Sequence, residues 1–304
     1  MFNNLRGDLP EKLGLTYKTL RGLNPAIVTC SLSGFGRTGP RASEPGYDPI
    51  MQAMAGYMSI TGEPNGHPGK AGVSIIDFAG GYAAALGLVA ALLEAKITGI
   101  GRDVDVSLLD TAVSMLTYLA SWQLNSDWEP VRMPSSSHQT LVPAQNFQTS
   151  DGWISLFCAK EHFWEKFAEL TDLSELISDK RFATFALRHQ NRETLLPILS
   201  NRLRKKTNGE WLALFRGSVP SGPINSIKQA LEDEQIKARG MIVDVEHPTY
   251  GTIKQVTSPI ATEGANRAVS PGPGLGEHTN ELLAELLSLD SAEIQRLRNQ
   301  GSVG

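Results

Sequence analysis

A chain of 304 residues, 41% hydrophobic and 20% charged, has the composition of an ordinary globular protein that can bury a sizeable core in two domains. A net charge of −4 with no obviously basic face argues against a nucleic-acid partner. The two cysteines, Cys30 and Cys158, lie far apart without CxxC or Cys/His spacing, which does not suggest a disulfide framework or cysteine metal centre and fits a reducing, cytoplasmic setting.

The start, Met1 to Leu15, has no charged segment followed by an apolar one, so it does not read as a signal peptide. It reads as the middle of an α/β domain, because no buried strand precedes this loop and short helix. Pro10 to Leu20 suits a helix, which Asn24-Pro25 breaks. Ala26 to Ser33 is a β-branched run of strand length, closed by the glycine-rich Gly34-Phe-Gly-Arg-Thr-Gly-Pro40. That loop has neither the GxGxxG nor the GxxxxGK[ST] spacing of a phosphate loop, so it is read as a tight turn. Pro45-Gly46-Tyr47-Asp48 leads into a helix over Pro49–Met58, with Asp48 as its cap and Pro49 in its first position. Met51, Met54 and Met58 read as core packing. Thr61 to Gly69 is a turn-rich loop, and its His67 has no second ligand at metal spacing.

The most informative stretch is Gly72 to Leu93. Val73, Ile75 and Ile76 read as a short strand ending on one carboxylate, Asp77. An uncharged run rich in Ala and Leu follows from Phe78 to Leu93 and predicts a helix. It is shorter than a bilayer span and rich in small residues, so it is expected as a core helix with no membrane association. Asp77 then stands at the helix mouth, facing its positive end. Two readings stay open: a plain N-cap, or a carboxylate placed for chemistry. Gly80 and Gly81 remove bulk where a second backbone or a ligand approaches. Thr98 to Gly101 stops the helix, Asp103 to Ser107 alternates as a strand, and Leu109 to Trp122 reads as another helix. This βαβα alternation predicts an α/β large domain with a parallel sheet.

The apolar rhythm lapses over Glu129–Pro143, and a different pattern follows. Trp153–Phe157 reads as a strand, with amphipathic helices around Phe163–Leu170, Leu195–Leu203 and Gly209–Phe215. Met241 to Val256 reads as a hairpin turning near Pro248–Gly251. Glu281–Leu289 and Ser291–Asn299 read as helices, the second capped by Ser291. The expected organisation is therefore a large α/β domain over 1–128, a linker over 129–143, a small α+β domain over 144–235, and a return segment over 236–304 whose helices pack on the large domain.

Several stretches, in order, carry a resemblance. They are Leu13-Gly-Leu-Thr-Tyr-Lys-Thr-Leu, Ser31-Leu-Ser-Gly-Phe-Gly-Arg-Thr-Gly-Pro, Pro45-Gly-Tyr-Asp and Thr61-Gly-Glu-Pro-Asn-Gly, followed by Gly72-Val-Ser-Ile-Ile-Asp, Gly99-Ile-Gly-Arg-Asp-Val-Asp-Val-Ser-Leu-Leu-Asp, Asp151-Gly-Trp-Ile and Leu275-Gly-Glu-His-Thr. Together they resemble the class III CoA-transferase family, which includes formyl-CoA transferase, carnitine CoA-transferases and α-methylacyl-CoA racemases. The resemblance implies a Rossmann-like large domain and an interlocked homodimer, with Glu129–Pro143 and Glu263–Gly276 as crossing linkers.

It also implies a chemistry. The aspartate ending the G-x-x-x-x-D stretch is the family's nucleophile, which falls on Asp77. It attacks an acyl-CoA thioester, passes through a mixed anhydride and an aspartyl-CoA thioester, and delivers CoA to a carboxylic acid acceptor. The helix N-terminus and nearby N–H groups are expected to steady the oxyanions. CoA and acyl-CoA enter as substrates; no tightly bound cofactor or metal is implied. The CoA side maps onto Asn4, Lys12 and Leu13; Tyr47, Gly80 and Gly81 are expected to bind substrate, and Asp48 is expected as a second catalytic carboxylate. Racemases of the family carry a His-Asp pair where this chain has Tyr47-Asp48. A phenol, which loses its proton near pH ~10, is a poor base at neutral pH, so the substitution favours transfer over racemisation. The family's usual opening strand–helix–strand region has no counterpart here, which leaves a catalytically impaired family member as an alternative.

Overall fold

Three short parallel strands frame the first part of the molecule, whose computed structural model describes residues 1–263 and 269–303. β1 (Phe2–Asn3) pairs with β2 (Thr29–Ser33), and β2 pairs with β3 (Asp103–Ser107) in the register Leu32 opposite Val106. Where one helix was expected over Pro10–Leu20, the chain forms α1 (Leu9–Lys12) and α2 (Tyr17–Leu20), separated at Gly14.

The crossover from β2 to β3 carries α3 (Asp48–Met54), α4 (Tyr57–Ile60) and the long α5 (Ile75–Thr98). The helix expected over Pro49–Met58 is thus two, because Gly56 takes φ +88 and turns the backbone where an L side chain is strained. The strand expected over Val73–Ile76 does not form. Ile75 and Ile76 are instead the first helical residues of α5, and Asp77 is the third, with Ser74 rather than Asp77 in the cap position. β-branched residues are tolerated in a first turn, where no preceding turn crowds them.

α5 also corrects two further expectations. At 24 residues it is long and apolar enough, by length and composition alone, to cross a membrane, and it is not buried on all sides. Ile76, Gly80, Ala84, Ala91 and Ala95 face inward. Gly80 permits close approach to the sheet layer, since a Cβ there would lie 2.7 Å from a Leu108 methyl and 3.3 Å from a Leu32 methyl. The opposite face exposes Phe78, Tyr82, Leu86, Val89, Leu93 and Ile97.

Beyond β3, α6 (Leu108–Ser114) and α7 (Thr117–Asn125) replace the single helix expected over Leu109–Trp122, the break falling at Thr117 with φ +49. Residues 129–143 carry only a short 3-10 turn at Pro134–Ser136, yet they are pinned. The Arg132 guanidinium donates to the carbonyls of Met58 and Gly66, and the Ser135 amide donates to Glu63.

A second layer is built on an antiparallel sheet of β4 (Ala144–Gln148), β5 (Trp153–Phe157) and β6 (Ser221–Pro223). Around it pack α8 (Glu161–Leu170), α9 (Glu175–Ser178), α10 (Phe185–Gln190), α11 (Arg192–Leu203) and α12 (Asn208–Phe215). Its core buries Phe147, Trp164, Phe167, Phe182, Trp211 and Phe215. Arg188 is buried among them, donating to the Val142 and Phe182 carbonyls and pairing with Glu161 at 2.6 Å. The Cys158 thiol is pushed up to about 12 by burial, against the pull of the nearby Arg188 charge.

Residues 1–224 form one compact unit and 225–304 another. The second holds α13 (Ile227–Leu231), α14 (Glu234–Ala238), a hairpin of β7 (Ile242–His247) and β8 (Gly251–Val256), α15 (Thr279–Leu287) and α16 (Ser291–Asn299). Asp290, not Ser291, caps α16, its side chain accepting from the Glu293 amide. Of the expected linker Glu263–Gly276, residues 264–268 lie outside the described residues.

Candidate active site

The Pro45–Tyr47 turn, the end of β2 and the first turn of α5 meet at a cleft of about 530 Å3. Its wall includes Asn4, Leu5, Arg6, Ser33, Tyr47 and Asp77. A parallel strand ends here and a helix begins here, which is where α/β folds place ligands.

Asp77 lies in the first turn of α5 because the helix starts three residues earlier than the apolar pattern suggests. Its side chain is exposed to the cleft, while burial, and then the neighbouring Asp48 carboxylate, raise its carboxyl above its ordinary value. A carboxylate so placed is reachable and retains more basicity than a freely solvated one.

Asp48 sits differently. It is 1% exposed and is not part of the cleft wall. Although it opens α3, it caps α5: its Oδ2 accepts the Ile76 amide at 2.7 Å and the Asp77 amide at 3.4 Å. Its Oδ1 accepts the Gln52 side-chain amide at 2.5 Å. The Ile75 amide is taken by the Val73 carbonyl and the Phe78 amide by the Ser74 carbonyl. The N–H groups of the first turn of α5 are therefore already engaged, which corrects the expectation that this helix end is free to steady an oxyanion. On the cleft wall the neutral side chains that make no hydrogen bond among the described residues are instead the Asn4 amide and the Tyr47 hydroxyl, Tyr47 being 73% exposed.

The remaining sequence candidates divide. Asn4, Tyr47 and Asp77 share the cleft. Lys12 lies in a neighbouring depression with Glu11, Arg37 and Asp105, where its ammonium pairs with Asp8 at 2.5 Å; Leu13 is exposed outside both. Gly80 packs α5 against Leu32 and Leu108, and Gly81 faces open space; neither is part of the cleft wall. Arg6, Ser33 and Gln52 were missed. Arg6 lies two residues after Asn4 and pairs with Asp8 at 2.6 Å. Gln52 stands one helical turn after Asp48, the spacing at which side chains on one helix meet, so it was findable.

The glycine-rich loop after β2 behaves as a turn. Its Arg37 amide donates to Asp105 at 3.0 Å, and the Arg37 guanidinium lies 3.2 Å from Asp103. Two carboxylates facing the loop leave no cradle for a phosphate. Burial pushes the Asp103 carboxyl up, but bonds from the Thr29 hydroxyl, the Tyr17 amide and Arg37 outweigh it and leave it lowered.

Residues 1–279 match the family described as CoA-transferase family III. A succinyl-CoA:glutarate CoA-transferase of Mus musculus is 36% identical over 304 residues, 99% of this chain and 69% of that protein. A succinate–glutarate CoA-transferase of Agrobacterium fabrum is 36% identical over 292 residues, 95% of this chain and 73% of that protein. Among solved structures, a CAIB/BAIF family protein from Brucella suis superposes with a TM-score of 0.78 at 34% identity, covering 94% of this chain and 74% of that one.

Proposed function

The chain belongs to CoA-transferase family III, and on that premise we propose that it moves CoA from an acyl-CoA thioester to a free dicarboxylic acid with Asp77 as nucleophile. One observation carries this reading: Asp77 is a reachable carboxylate of raised basicity at the wall of a cleft that ends a parallel strand. A carboxylate Oδ of Asp77 attacks the thioester carbonyl, and CoA leaves as the thiolate, giving a mixed anhydride. The thiolate then attacks the Asp77 carbonyl, releasing the donor acid and leaving an aspartyl-CoA thioester. The acceptor carboxylate repeats the two steps in reverse order, and Asp77 is regenerated. The Tyr47 hydroxyl and the Asn4 amide are donors on the cleft wall that could meet the oxyanions.

Relatives named for succinyl-CoA and glutarate make succinyl-CoA and C4–C6 dicarboxylates the first substrates to try. Incubating the protein with succinyl-CoA and such an acid should produce the acceptor's CoA thioester and free succinate, read by mass-resolved chromatography. No new thioester with any of these acids would contradict the reading. Racemisation is the runner-up, tested by α-proton exchange in D2O; Tyr47 in place of a histidine favours transfer.

The same proposal includes a homodimer. Its support is the outward stripe of α5, from Phe78 to Ile97, an apolar surface of the kind that marks association sites. Light scattering should give twice the chain mass at micromolar concentration, and a compact monomer would contradict it. A cytoplasmic location remains part of this reading, on the two unpaired cysteines.

A further inference from the structure

Next to Asp77, and outside the cleft wall, lies a buried carboxylate that forms no bond in the proposed reaction. Burying a charge costs free energy unless donors surround it. Asp48, 1% exposed, is met by the Gln52 amide, by the Ile76 amide and, at greater length, by the Asp77 amide. Gln52 is itself fully buried, and its other end accepts the Ala71 amide at 2.8 Å. Ser74, in the cap position of α5, makes no side-chain cap bond. The helix start is thus held from outside, by a residue of α3.

We propose that Asp48 and Gln52 are positioning residues that together fix the Asp77 carboxylate in the cleft. The inference rests on the reading of Asp77 as nucleophile and goes beyond it. Three segments are tied by the pair. Asp48 directly follows Tyr47, which forms one wall of the cleft; its carboxylate holds the backbone of Asp77 on the other wall; Gln52 holds the segment that enters α5. The separation of Tyr47 from Asp77 is set by this tether. A misplacement near 1 Å can cost on the order of 100-fold in rate.

The donor–acceptor order gives a test. The Ala71 amide donates to Gln52 Oε1, Gln52 Nε2 donates to Asp48 Oδ1, and Asp48 Oδ2 accepts the amides of α5. Asp48→Asn makes two amide NH2 groups compete, or turns one toward Ile76; Gln52→Glu sets two carboxylates face to face. Combining Asp48→Asn with Gln52→Glu restores a consistent order. The new carboxylate at position 52 would accept from the Ala71 amide and from the new side-chain amide at position 48, whose carbonyl oxygen stays free for the amides of α5. Each single variant should lower kcat about 10-fold or more while the acyl-CoA KM stays within about two-fold, and the double variant should recover most of that loss.

Circular dichroism confirms folding at the assay temperature, so that lost stability is not read as lost rate. If Asp48→Asn does not fold, Gln52→Leu, which cuts the bonds to Asp48 and to the Ala71 amide, gives the same reading through its kcat. Folded single variants with the parent's kcat, or a double variant no better than the worse single, would overturn the inference. Hydroxylamine labelling of Asp77 in an active parent keeps the two claims apart. Labelled Asp77 with indifferent tether variants sinks the tether alone, whereas an inactive parent or a label elsewhere sinks the nucleophile reading and the tether with it.

Discussion

The two halves of the 1–224 unit are built to different standards. The antiparallel half closes a core of its own, with Trp164, Phe167, Phe182, Trp211 and Phe215 all buried and Arg188 fully partnered among them. The parallel half has thinner cores, centred on Met51, Ile76 and Leu108 and on Val28, Ala91 and Ala95, while α5 leaves a row of large apolar side chains uncovered. The cleft and Asp77 belong to this thinner half. Polar ties such as Asp48–Gln52 and Asp103–Arg37 add to those cores there. The teaching is that stability and chemistry are carried by different residues, so substitutions should separate them.

The largest separation is expected at Asp77. Asp77→Asn keeps the size and a carbonyl acceptor but loses the attacking charge, so transfer should vanish in an assay of acceptor-CoA formation. Its melting temperature should not fall. The sign follows from the raised carboxyl: an acid whose folded pKa lies above its unfolded value destabilises the fold once ionised, so its removal at neutral pH is neutral or stabilising. That margin should shrink as pH falls through the raised value.

The converse change is Trp211→Ala, which empties the closed core. It should cost about 3–5 kcal/mol in denaturant unfolding, the usual range for a buried aromatic truncated to Ala. Leu86→Ala on the outer face of α5 should stay within about 0.5 kcal/mol at low protein concentration. Leu86→Lys with Leu93→Lys sharpens the contrast further. The pair should halve the mass seen by light scattering while the monomer keeps its circular dichroism; an unchanged mass would remove α5 from the dimer interface.

Acid provides a smaller effect of opposite sign to that of Asp77. Asp103 has a lowered carboxyl, so its stabilisation is present above the ordinary carboxylate value and is lost as pH drops below about 4. Thermal melts across that window should flatten in Asp103→Asn. Smallest of all should be the response to thiol reagents. Cys158, buried and held near its neutral form by a thiol pushed up to about 12, should react only on unfolding.

How much of this was legible beforehand depended on whether a signal was local. The strands over Thr29–Ser33, Asp103–Ser107 and Trp153–Phe157 follow from β-branched or alternating runs bounded by turns, and the glycine-rich loop after β2 was read as a turn from its spacing alone. The start of α5 was misread because Val73, Ile75 and Ile76 have strand propensity, and the carboxylate that overrides it comes from Asp48, 28 residues before Ile76. No window of sequence contains both. The exposed face of α5 was misread for a related reason: an apolar run states that a face must be covered, not which surface covers it. Asp77 was visible as one of two readings from its own neighbourhood, a cap or a reactive carboxylate; the structure gives the cap position to Ser74 and leaves Asp77 on the cleft wall.

The central claim is that Asp77 becomes covalently acylated during turnover, and hydroxylamine trapping tests it most directly. Hydroxylamine attacks an aspartyl anhydride or thioester and leaves a stable hydroxamate on the side chain. The protein is incubated with succinyl-CoA and hydroxylamine and digested with trypsin, and the peptide of residues 71–96 is sequenced by mass spectrometry. The account predicts a hydroxamate on Asp77 that depends on acyl-CoA and is absent from Asp77→Asn. Transfer activity accompanied by an unmodified Asp77, or by a hydroxamate on a different carboxylate, would contradict it.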